Sequence, residues 1–161
     1  MAVTDDDRRF LARAVDLAEE ALSAGDEPFG SLLVSPAGEV LFEDHNHVAG
    51  GDHTQHPELA LARWAAAHLT PLVRRRCVVY TSGEHCPMCA AAHGWVGLGR
   101  IVYASSSEEL AQWNAELGWP SSPVATLPIR AVVPEAEVDG PDARLSDRVR
   151  ALHRRFADRQ P

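Results

Sequence analysis

Two short stretches of this sequence hold side chains that could do hydrolytic chemistry together: His56-Pro57-Glu58 and Cys86-Pro87-Met88-Cys89. Each stands where a helix is expected to begin, after a loop. Cysteines at i and i+3 at a helix start can aim both sulfurs at one ion, and the helix N-terminus favours thiolate over thiol. Thiolate and imidazole donors suit zinc. His56 with Cys86 and Cys89 makes three protein ligands, which leaves a fourth position for water and marks a catalytic rather than a structural metal. Glu58 follows His56 by two residues on the same helical turn. From there its carboxylate can take a proton from that water without becoming a ligand and pass it to the group being hydrolysed. A lone C-x-x-C is a weak signal and a lone H-x-E a weaker one. The two together, about thirty residues apart with a strand between them, are specific.

The elements that must hold these groups can be read from pattern. Thr4 is an N-cap, Asp5, Asp6 and Asp7 favour the positive helix end, and apolar residues from Phe10 to Leu22 recur at helical spacing before Gly25, giving a helix over 5–24. Ser31–Val34 and Glu39–Phe42 flank Ser35-Pro36-Ala37-Gly38 and read as a hairpin. Residues 43–55, rich in His, Gly, Asn and Asp, form a loop. Pro57 suits a first helical turn, and Pro71 closes that helix. Cys77–Tyr80 is a buried strand, 81–85 a loop, Cys86–Val96 a third helix, and Ile101–Tyr103 a strand. Glu108–Ala115 is a fourth helix, 118–128 a proline-bearing connection, Ile129–Val133 a fifth strand, and the arginine-rich tail a last helix. Strands alternating with helices imply a mostly parallel α/β sheet between helical layers, with the leading hairpin as an antiparallel pair.

Bulk composition narrows the function classes. The 161 residues, 45% hydrophobic, fit a single domain spanning 1–161, with its core over about 5–133 and a helical tail over about 141–160. A net charge of −8 disfavours steering toward phosphate backbones. Six arginines between Arg144 and Arg159 form a local exception, read as a solvated amphipathic helix. Three cysteines, Cys77, Cys86 and Cys89, are not a disulfide framework and fit a reducing compartment. The first residues are acidic where a signal peptide is basic, and no apolar run is long enough to span a membrane. The expectation is a cytoplasmic protein without membrane or nucleic-acid partners.

H-x-E followed by P-C-x-x-C is the signature of zinc deaminases, with the glutamate as general acid/base. Over residues 28–117 the sequence resembles the cytidine deaminase superfamily, with His85 where that family usually has proline, and Pro57 where it most often has alanine or valine. The resemblance implies a three-layer α-β-α fold around a five-stranded mixed sheet, and hydrolytic deamination of a cyclic amidine by Zn2+. A helical crossover at Glu108–Ala115 makes the fourth and fifth strands parallel. That arrangement resembles the guanine, cytosine and tRNA adenosine deaminase branch. Pro28-Phe29-Gly30, Asn46, Asp52-x-Thr54 and His56-x-Glu58 look most like bacterial guanine deaminases. By that resemblance Asn46 hydrogen-bonds the substrate ring, Phe29 and Trp95 line the pocket, and Pro57 removes a backbone N–H that could have met the substrate. Glu116 stands for the family's second acid, ahead of Glu108 and Glu109. The implied protein is a homodimer whose tail either swaps between subunits or packs on its own domain. His45, His47, His53 and His93 read as loop or packing residues. The substrate expected is a free nucleobase or analogue: guanine, cytosine or a triazine-like ring. The alternatives are a tRNA adenosine deaminase, a nucleoside or nucleotide deaminase, and a zinc-binding protein without activity.

Overall fold

The computed structural model describes residues 2–159. Helix α1 runs over Asp5–Ala24, opened by a capping box between Thr4 and Asp7 and closed by Gly25 at φ 92°. Strands β1 (Gly30–Val34) and β2 (Val40–His45) form the hairpin. A 3-10 turn at Val48–Gly50 leads to α2 (Pro57–His68), followed by the short α3 (Pro71–Arg74). Then come β3 (Val78–Gly83), α4 (Pro87–Val96), β4 (Ile101–Ser105), α5 (Ser107–Glu116), α6 (Ile129–Val132), β5 (Val138–Asp139) and α7 (Ala143–Ala157).

The sheet order is β2-β1-β3-β4-β5, antiparallel through β2-β1-β3 and parallel through β3-β4-β5. Alternation along the strands divides the core into two layers. Leu32, Val34, Tyr80, Val102 and Ala104 face α1, α7 and Trp113 of α5. Leu33, Val79 and Ile101 face Leu61, Ala62 and Ala65 of α2, Ala90 of α4 and Ile129 of α6. This is the expected three-layer α-β-α arrangement. At Gly30 the backbone of β1 lies so close to α1 that a Cβ would collide with Leu17 and the Ala14 carbonyl.

The fifth strand is not at Ile129–Val133. That stretch is the short helix α6, and the strand that joins β4 is Val138–Asp139. Two prolines explain the misreading. Pro128 sits at the N-cap of α6 in an extended conformation, and Pro134 follows its end. The Ile129 N–H is taken by the Glu84 carboxylate at 2.8 Å instead of a ladder partner. The parallel relation of the fourth and fifth strands stands, but the sheet runs past residue 133.

One buried ion network ties the chain's start to its last strand. The Arg100 guanidinium reaches Asp7 at 2.9 Å and Asp139 at 2.7 Å. Tyr80 donates its hydroxyl to Asp7 at 2.9 Å. Burial alone would raise the Asp7 carboxyl, but the hydrogen bonds from Arg100, Thr4 and Tyr80 prevail and hold it far below the ordinary range.

Candidate active site

The N-termini of α2 and α4 meet at one point beside β3. His56 is the N-cap of α2 and Cys86 the N-cap of α4, each followed by proline at the first helical position. Neither side chain makes a capping hydrogen bond, so both are free to turn toward a shared centre. The His56 Nδ1 lies 3.6 Å from the sulfurs of both Cys86 and Cys89. All three donor atoms fall within 4.8 Å of one another. Two sulfurs and one imidazole nitrogen, converging at the positive ends of two helices, fit Zn2+ by donor type and number.

The charge state agrees. The Cys89 thiol donates to Cys86, and with the His56 contact this holds Cys86 down at about 4, against the opposing effect of burial. The same sharing, with burial, pushes the Cys89 thiol up. His56 is raised chiefly by its Cys86 contact. The contact between the two cysteines thus favours the thiolate at Cys86, the form a metal ion binds.

Glu58, in the first turn of α2, is buried. Its Oε1 accepts from Ser31 Oγ at 2.7 Å and Thr81 Oγ1 at 3.0 Å, while Oε2 faces Cys89 Sγ at 3.8 Å. Ser31 and Thr81 are register partners across β1 and β3, so the sheet fixes one oxygen and leaves the other toward the sulfurs. Burial raises the Glu58 pKa, partly offset by Ser31 and His56. A carboxylate raised in this way can carry a proton and also give it up.

A cavity of about 590 Å³ opens beside His56 and Cys86. Phe29, Leu110, Asn114, Trp119 and His153 are among its walls. The Phe29 ring meets His153 edge-on at 5.0 Å. His153 is buried, which pushes its pKa down to about 4, and its Nε2 has no hydrogen-bond partner among the described residues. Glu27 also lines the cavity, raised above the usual carboxylate range by burial.

The other expected residues fall out differently. Asn46 is only 1% exposed; its Oδ1 accepts from the Val48 N–H at 3.0 Å, and its Nδ2 has no partner among the described residues. Pro57 is buried and lies outside the cavity lining. Trp95 does not line the cavity: it is 91% exposed. The buried stripe of α4 is Cys89, Ala90 and His93, and 100° per residue turns position 95 to the opposite side. Glu116 also points away. Its carboxylate is partly exposed and paired with Arg150 of α7 at 2.7 Å, while Leu110, Ala111, Asn114 and Leu117 of the same stretch line the cavity. His85 is buried, edge-on to His93. Sequence reasoning missed Ser31, Thr81, Glu27 and His153. A serine and a threonine inside apolar strands were the available signal for the first two.

The model of the cytidine and deoxycytidylate deaminase zinc-binding region matches residues 4–105. A probable cytosine deaminase of Schizosaccharomyces pombe is 32% identical over 119 residues, 72% of this chain and 70% of its own length. The guanine deaminase of Bacillus subtilis is 37% identical over 105 residues, 64% of this chain and 67% of its own. A tRNA-specific adenosine deaminase of Haemophilus influenzae is 29% identical over 101 residues, 62% of this chain and 58% of its own. The solved guanine deaminase of Nitrosomonas europaea shares the fold, with a TM-score of 0.71 over 98% of this chain and 86% of that one at 19% identity. With the His56, Cys86 and Cys89 donors gathered beside Glu58, the chain belongs to the zinc-binding cytidine and deoxycytidylate deaminase family and is a zinc-dependent hydrolytic deaminase.

Proposed function

We propose that this enzyme deaminates a free nucleobase or a base analogue of similar size, with guanine, cytosine and triazine-like rings as the leading class. The observation that carries this reading is the cavity over His56 and Cys86. At about 590 Å³ it has room for a flat heterocycle, and Phe29, Trp119 and His153 supply aromatic walls among polar groups that include Glu27, Thr54 and Asn114. α7 contributes His153, Phe156 and Ala157 to the wall.

The polynucleotide alternative has less support. Of the tail arginines, Arg148, Arg150 and Arg155 are engaged in ion pairs with Asp16, Glu19 and Glu116, and Arg159 donates to the Leu22 carbonyl. Those cations are occupied within the fold rather than arrayed for phosphate.

Zinc held by His56, Cys86 and Cys89 would supply a Lewis acid that makes water a nucleophile near neutral pH. The protein's own part is then proton movement and placement. Glu58, steadied through Oε1 by Ser31 and Thr81, takes one proton from water on Oε2 and passes it to the ring nitrogen, then takes a second from the hydroxyl added to the ring carbon and passes it to the amine that departs as ammonia. Phe29 and His153 hold the ring in plane. The cavity carboxylate of Glu27 supplies a polar group that distinguishes one ring from another.

The test is ammonia release by zinc-loaded protein over guanine, cytosine, isocytosine, azacytosine, ammeline, adenine, their nucleosides and tRNA. Turnover of a free base, abolished in Glu58→Gln while zinc content is kept, supports the proposal. Turnover confined to a nucleoside or to tRNA overturns it.

A further inference from the structure

A second set of metal-ligating side chains lies where the loop after β2 folds back on the turn before β1. Asp26, His45 and His47 each offer a donor atom within 4.8 Å of the others, the same criterion met by His56, Cys86 and Cys89. The surrounding hydrogen bonds leave one donor open on each. His45 Nδ1 donates to the Asn46 carbonyl at 2.8 Å, which leaves Nε2 as a lone-pair donor. His47 Nε2 donates to the Asp44 carboxylate at 2.7 Å, which leaves Nδ1. Asp26 Oδ1 accepts from the Ala49 N–H at 2.8 Å, which leaves Oδ2. Asp44 is itself held, since the same Oδ1 accepts the His45 N–H at 2.8 Å.

That pattern is the one the outer shell of a metal site would require. A ligating histidine almost always gives its other ring N–H to a carbonyl or a carboxylate, which fixes its tautomer and orientation. Here one imidazole uses a carbonyl and the other a carboxylate. The two rings lie 4.4 Å apart, tilted by 34°. Asp26 is buried, so its charge gains most from a cation. Two imidazoles and one carboxylate suit a first-row transition ion and disfavour magnesium or calcium, which prefer all-oxygen shells.

We propose that Asp26, His45 and His47 form a second divalent transition-metal site, separate from the catalytic zinc. An ion there ties the β2–α2 loop to the α1–β1 turn. That loop carries Asn46 between the two histidines and runs into His56, so the ion fastens the segment that enters the active site.

The test is equilibrium dialysis of metal-free protein against a small excess of cobalt(II), with bound metal counted per chain and the absorption spectrum recorded. Thiolate-to-cobalt charge transfer reports the cysteine site, and an all-nitrogen-and-oxygen site lacks it. The expected result is two ions in the unaltered protein. Asp26→Asn/His47→Ala should bind one ion with the charge-transfer band intact. His68→Ala, which removes an exposed histidine elsewhere, should keep two. One ion in the unaltered protein overturns the proposal, as does a second ion that survives Asp26→Asn/His47→Ala or is lost in His68→Ala. The retained charge-transfer band shows that the double variant is folded. No turnover is read, so the outcome is independent of the substrate proposed above.

Discussion

Ser31 of β1 donates its hydroxyl to Glu58 of α2 at 2.7 Å, on the carboxylate oxygen that does not face Cys89. The contact crosses from sheet to helix and sets the carboxylate's direction. It also favours the charged form and opposes the upward push of burial. Ser31→Ala should therefore raise the Glu58 pKa further. The acid limb of the kcat/KM profile should move to higher pH, with kcat at neutral pH down about tenfold, the equivalent of roughly 1.4 kcal/mol. A pH–rate profile of the variant checks this; an unshifted acid limb would mean that Ser31 does not govern the carboxylate.

Glu116→Gln should leave kcat and KM within about twofold of the unaltered enzyme. The side chain faces solvent and pairs with Arg150, and exposed pairs are worth roughly 0–1 kcal/mol. Steady-state kinetics on whichever base proves active decide the matter. A loss of a hundredfold would restore Glu116 to a role in proton transfer.

The contrast between Glu58 and Glu116 explains what the sequence made legible. His56 and Glu58 lie in one motif and Cys86 and Cys89 in another, each only a few residues long, so local helix geometry fixes how the residues within each motif are presented. Trp95 and Glu116 were placed from resemblance, but each lies off its helix's inward stripe. A shift of one or two positions on a 100° wheel turns a wall residue into a solvent-facing one. The fifth strand was misplaced because Ile129–Val133 has β-branched composition. Pro128, Pro134 and the Glu84 acceptor favour one short helical turn there, whereas Val138–Asp139 is recruited by its ladder to Ile101 and by the Arg100 ion pair. Ser31, Thr81 and His153 depend on strand register or on how the tail folds back, and neither is a local property.

His153 is the cavity's buried neutral imidazole, with an Nε2 that has no partner among the described residues. His153→Phe keeps the ring's contact with Phe29 but removes its polar nitrogens. It should lower kcat/KM about tenfold, the cost of one hydrogen bond to substrate at about 1.4 kcal/mol, chiefly through KM. Its thermal midpoint should not fall. Unchanged kinetics would assign His153 to packing alone.

Asp7→Asn should cost about 3 kcal/mol of folding stability at pH 7, in the range for removing one partner of a buried ion pair. The Asp7 carboxyl is held far below its ordinary value in the folded chain. Its contribution is thus complete above the unfolded carboxyl pKa of about 3.9 and is lost as pH falls below it. Urea unfolding should show the gap between the two proteins steady from pH 7 to about 5 and narrowing toward pH 3. A gap that does not change with pH would remove the ion pair as its source.

Removing zinc with a chelator should expose one reactive thiol before the other. Cys86 lies at about 4 in the metal-free chain and is partly exposed, whereas Cys89 is buried and its thiol is pushed up. The thiolate is the nucleophile, so iodoacetamide should label Cys86 first, at a rate almost constant between about pH 6 and 8. Cys77, buried and raised by desolvation, should stay unlabelled. Zinc added before the reagent should suppress the Cys86 label by at least tenfold. Peptide mapping by mass spectrometry reads all three sites in one sample, and equal labelling of Cys86 with and without zinc would contradict its place among the ligands.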